Sequence, residues 1–140
     1  MSDSQLSDVH SAHVMTWENQ SHSNLALHKR IQLFEIAIHA IERRASKTLS
    51  GVTLLVILDR VLSQSKEKFP FLSYISVESN SLNLKSHEQI NDLDQNELIE
   101  ALRYLLIELL RVLGRITADI LTIPLHNELL KVSWNEPETK

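Results

Sequence analysis

Glu35, His39 and Glu42 are spaced four and three residues apart, so on a helix they share one face. An imidazole between two carboxylates has the composition of a metal ligand, a general base or a phosphoacceptor. A helical metal site needs a third or fourth ligand that this spacing does not place, and a wet stripe of local ion pairs accounts for the same residues. His28 lies on the same row and extends the stripe as much as any site. His39 is the candidate phosphoacceptor, because an imidazole exposed on a helical bundle is what phosphotransfer requires.

Ala40 and Ile41 follow His39. Histidine-kinase dimerisation helices place an acidic residue there, and histidine phosphotransfer domains a Lys-Gly pair, so the local match is poor. Other histidines are His10, His13 and His22, which could bind a transition metal if their segment were ordered, and His126, which reads as a helix-end residue after Pro124. The chain has no cysteine, which removes disulfides, thiolate ligands and cysteine nucleophiles. Its 2 glycines cannot build a phosphate-cradling loop, and no Gly-x-Ser-x-Gly elbow is present. The expectation is a protein without enzymatic activity, cofactor or resident metal.

The elements that carry these residues are mainly helical. Residues 1–23 mix Ser, Asp, His and Gln without a period and read as a flexible N-terminal arm. After Asn24, a plausible cap, Leu27, Ile31, Phe34, Ile38, Ile41 and Ala45 recur at spacings of four and three and predict a first long helix. Ser50-Gly51 breaks it, and a second seam of Leu55, Leu58, Leu62, Ser65 and Phe69 predicts a helix ending at Phe69-Pro70. The two form an antiparallel hairpin or, alternatively, one bent rod. From residue 74 to 85 the period becomes two. A turn at Ser79-Asn80 sets Val77 opposite Leu82 and Ile75 opposite Leu84, with all four on one face of a β-hairpin. Ser86 to Leu93 suggests a short helical turn, and Asp94 to Glu97 fits a capping box that opens the long C-terminal helix. Pro124 requires a kink or restart near Thr122 to Leu125, and residues 133–140 read as a tail.

That long helix carries two apolar rows side by side: Leu98, Leu102, Leu105, Leu109, Val112 and Ile116 in one, and Ile99, Leu106, Leu110 and Leu113 in the other. A face this wide demands more than one partner helix. The expected architecture is therefore a mainly α, antiparallel bundle of three long helices over residues 24–132, with a small β-hairpin between the second and third. It would be dimeric through the first row, Leu98 to Ile116, as interface.

Net charge of -4 is unevenly spread, with a basic excess from His28 to Lys68 and an acidic one from Glu78 to Glu100. It carries no polyelectrolyte footprint for nucleic acid, and no segment reads as a membrane span or a signal peptide. A cytoplasmic homodimer acting as an interaction module in bacterial regulation or signal transduction is the leading expectation. The alternatives are a winged-helix-like DNA-binding regulator using Arg60, Lys66 and Lys68, and a chaperone or assembly factor for a larger complex. LVILDRVL (Leu55 to Leu62) and LLIELLRVL (Leu105 to Leu113) are similar to segments of gas-vesicle accessory proteins, and the layout resembles helical dimerisation modules that accompany bacterial sensor kinases. Neither likeness spans a complete motif, and no residue role is carried over from them.

Overall fold

Local chemistry accounts for the elements of the computed structural model, which describes residues 2–21, 25–78, 81–83 and 95–132. Helix α1 spans Ser2–Ser21, α2 Leu27–Ala45, α3 Gly51–Lys68, α4 Gln95–Ile116 and α5 Thr122–Leu130; strands β1 (Ser76–Glu78) and β2 (Ser81–Asn83) lie between α3 and α4. Ser50 caps α3 by accepting from the Thr53 amide at 3.2 Å, satisfying one of the first-turn donors. Phe69 ends α3, and Pro70 opens a 3-10 turn to Tyr74, since proline cannot donate the next helical bond. The sheet pairs Val77 with Leu82, the predicted register. The expected turn at Ser79-Asn80, the Ile75–Leu84 pair, the Asn24 cap, the Ser86 to Leu93 turn, Asp94 of the capping box and residues 133–140 lie outside the described residues.

Helix α4 is the axis of the molecule. Helices α1, α2, α3 and α5 all pack on it, so both of its apolar rows are covered within one chain. Leu98, Leu102, Leu105, Leu109 and Val112 are buried, as are Ile99, Leu106, Leu110 and Leu113; of the expected interface row only Ile116 is exposed. Two corrections follow from one omission. The residues read as a flexible arm form α1, which buries Val14 and Trp17 in the core. Because α1 supplies a further covering helix, the wide face of α4 needs no second chain, and the expected dimer core is the core of this chain.

Residues 46–50 are not helical, so the first two long helices do not join as one rod. Each packs on α4, and the hairpin sits against both. Helix α2 follows its predicted seam, with Ile31, Phe34, Ile38, Ile41 and Ala45 buried. In α3 the buried face is Leu54, Ile57, Leu58, Val61, Leu62 and Ser65, which turns Leu55 outward. Helix α4 ends at Ile116, six residues before Thr122: Ala118 and Asp119 both take positive φ, 53° and 67°, and Pro124 then sits in the first turn of α5, where its missing donor costs nothing.

Candidate functional site

The Glu35, His39, Glu42 row does not remain a solvated stripe. Glu42 is buried and accepts from the Ser81 hydroxyl at 2.6 Å and the Leu82 amide at 3.0 Å. His39 Nε2 donates to the Leu82 carbonyl at 2.9 Å, the carbonyl being an acceptor only. Together they splint β2 onto α2, which supplies the support that a two-stranded hairpin lacks by itself. Burial pushes the Glu42 carboxyl above its ordinary range, against the opposing pull of the Ser81 and Leu82 bonds and of His39. For phosphotransfer only Nδ1 of His39 keeps a lone pair, since Nε2 is engaged by the hairpin. The same residues line an open cleft of about 570 Å³ with Arg43, Ser46 and Gly51.

A second constellation joins residues distant in sequence. His10 and His13, three apart on α1, meet His126 of α5: His10 Nδ1 lies 2.9 Å from His126 Nε2, and the His13 ring stacks on His126 with centroids 4.0 Å apart. Gly114 makes room for this approach. A Cβ there would stand 3.3 Å from His10 Nε2 and from Asp119 Oδ1, and 2.8 Å from Thr122 Oγ1. The Thr122 hydroxyl donates to Asp119 at 2.9 Å, fixing the left-handed turn beside the imidazoles. Burial lowers the pKa of all three histidines, that of His126 to about 4 with His13 and His10 adding to the effect; Asp119 opposes the shift at His10. The ring planes of His13 and His126 are 27° apart, and among the described residues no group of three or more His, Asp or Glu is arranged to hold a metal.

The rest of α1 is held by charge. Glu18, buried, accepts from Arg103 Nε at 2.7 Å and Nη2 at 2.8 Å, and from Arg30 at 3.0 Å, tying α1 to α4 and α2. The hydrogen bonds to Glu18 raise the Arg103 pKa. Trp17 Nε1 donates to the Val132 carbonyl at 2.8 Å while its ring meets Phe34 edge to face. Sequence reasoning passed over this helix because its buried stripe, His10, Val14, Trp17, Glu18, mixes apolar and ionisable residues. The spacing of four, three and one was the available signal.

Helices α3 and α4 run antiparallel. Lys68 lies 5.3 Å from the Tyr104 ring, Gln64 shares a cleft with Glu108 and Arg111, and Arg60 shares one with Arg115 and Ile116. This order brings the first turns of α3 beside the end of α4. Val52, Leu55 and Val56 are exposed on the former, and Ile116 and Ile120 on and after the latter. Within the fold these are large aliphatic side chains without cover. Of the α3 cations Arg60, Lys66 and Lys68, Lys68 lies over aromatic rings and Arg60 borders the α4 cleft.

Among the described residues no helix is long and apolar enough to cross a membrane. Compared with known protein families, with curated proteins and with solved structures, the chain matches none.

Proposed function

We propose that this protein is a non-catalytic helical association module that pairs with a second copy of itself, in a regulatory or signal-transduction setting. The observation that carries this reading is the exposure of Val52 and Val56 on α3 and of Ile116 and Ile120 at and after the end of α4, which the antiparallel packing sets toward the start of α3. Val52 and Ile120 are 74% and 73% exposed, and Ile123 of α5 is 71% exposed. A second copy is the occupant proposed, because a two-fold contact sets an aliphatic patch against the same patch and buries both at once. Arg60, Arg111 and Arg115 line the neighbouring cleft with Glu108.

Each aliphatic side chain buried in such a contact contributes about 1.5–3 kcal/mol, and two-fold symmetry counts it twice. Sedimentation equilibrium over a range from about 1 to 100 μM, bracketing micromolar affinity, tests the proposal. The wild-type chain is expected to dimerise, and Val56→Glu or Ile120→Glu to weaken association at least about 100-fold while the helical circular dichroism is retained. A wild-type monomer throughout the range, or variants that dimerise as well as wild type, would overturn it.

A further inference from the structure

We propose that His10, His13 and His126 form an acid-released latch that docks the Val9 to Val14 stretch of α1 onto α5 when the imidazoles are neutral and frees it when they gain protons. His10 Nδ1 and His126 Nε2 share a hydrogen bond 2.9 Å long between residues 4% and 5% exposed. One proton lies between two nitrogens, so one of them must be bare. A proton added to the bare nitrogen sets N–H against N–H at that distance and places positive charge where water is excluded.

The surroundings do not absorb that charge. On α1, His13 stacks on His126 and its own Nε2 is buried without a hydrogen-bond partner. On α4, Arg111 faces His10 and is itself a cation, paired with Glu108. In the turn before α5, Asp119 is, among the described residues, the carboxylate that acts on the group; it favours protonation of His10, and its Oδ1 is occupied by Thr122. Among the described residues, the groups that act electrostatically on His126 are two imidazoles, which oppose its protonation.

Release is confined to part of the helix by what holds the remainder. Glu18 stays bound to Arg103 and Arg30, and Trp17 to the Val132 carbonyl. The segment from Val9 to Val14 therefore opens about a hinge at Trp17 and Glu18, uncovering the Gly114 side of α4. This device stands independently of self-association.

The magnitude follows from proton linkage. With His126 at about 4 when docked and 6.5 when free, lowering pH from about 7.5 to about 5 weakens docking roughly 30-fold through this residue alone. Hydrogen exchange on the full chain, corrected for intrinsic rates, reads the effect as lost protection in peptides covering residues 9–17. Wild type is expected to lose roughly that factor there, with α2 and α4 peptides unchanged, and His126→Gln to lose less than about threefold. An equal loss in His126→Gln, no loss in wild type, or a uniform loss across all helices would overturn the latch. Should His126→Gln not fold, proton NMR titration of the wild-type imidazoles decides. A His126 midpoint below 6.5 that coincides with α1 release supports the proposal; a midpoint at or above 6.5, or titration with α1 still protected, refutes it.

Discussion

Replacing Leu105 with alanine distinguishes a chain that covers its own long helix from one that needs a partner to do so. Leu105 is 0% exposed at the middle of α4, where α1, α2 and α3 all pack. Removing its isobutyl group leaves a void that a close-packed interior fills only in part, at a cost of about 3–5 kcal/mol. Against a typical domain stability of about 5–15 kcal/mol this is a large share, and for a chain of this size it lowers Tm by about 10–15 °C. The assay is urea denaturation at two protein concentrations in a Val56→Glu background, where surface association is suppressed. The expected result is a midpoint that falls by the full amount and does not move with protein concentration. A Leu105→Ala chain that keeps its stability within about 1 kcal/mol, or a midpoint that rises with protein concentration, would show that α4 is covered between chains and would refute the assignment of its face to α1, α2 and α3.

Glu42→Ala is expected to cost about 1–3 kcal/mol, because the buried Leu82 amide loses its acceptor, and to broaden the hairpin amide signals in an NMR spectrum. Acid should destabilise the fold through His126: its pKa of about 4 in the folded chain lies below the free value of 6.5, so stability is complete above about pH 6.5 and declines as pH falls toward 4. Up to roughly 3 kcal/mol is involved, measurable as a pH-dependent urea midpoint that flattens in His126→Gln. Ala118→Gly should stabilise by about 1 kcal/mol, since φ of 53° is costly for a Cβ-bearing residue and free for glycine; an unchanged or lower Tm would argue against the left-handed turn. Gly114→Ala should be destabilising despite the better helix propensity of alanine, because its Cβ meets Thr122 at 2.8 Å, and thermal melting gives the sign.

What could be read from sequence followed from local periodicity. The three-and-four spacing from Leu27 to Ala45 and along α4, the break at Ser50-Gly51, the stop at Phe69-Pro70 and the Val77–Leu82 register are each decided by neighbouring residues, and the structure agrees at each of them. Helix α1 was illegible for a physical reason. Its inward face is built of His10, Val14, Trp17 and Glu18, and residues of that kind are buried only when partners far along the chain satisfy their polar atoms: His126, Val132, and the arginines of α2 and α4. The pairings span more than a hundred residues in two of these cases, and no local pattern encodes them.

The candidate sites divide in the same way. That α4 must be buried on two sides was determined by its composition; that the cover comes from this chain, and that Ile116 alone of its first row faces outward, was decided by the arrival of α1. That His39 and Glu42 share a helix face was determined by spacing. Tertiary structure decided that the face holds a hairpin, and it gathered three histidines from opposite ends of the chain into contact. Sequence specifies which side chains must leave water, because hydrophobicity and periodicity are properties of a segment; which groups they then meet depends on how whole helices are arranged.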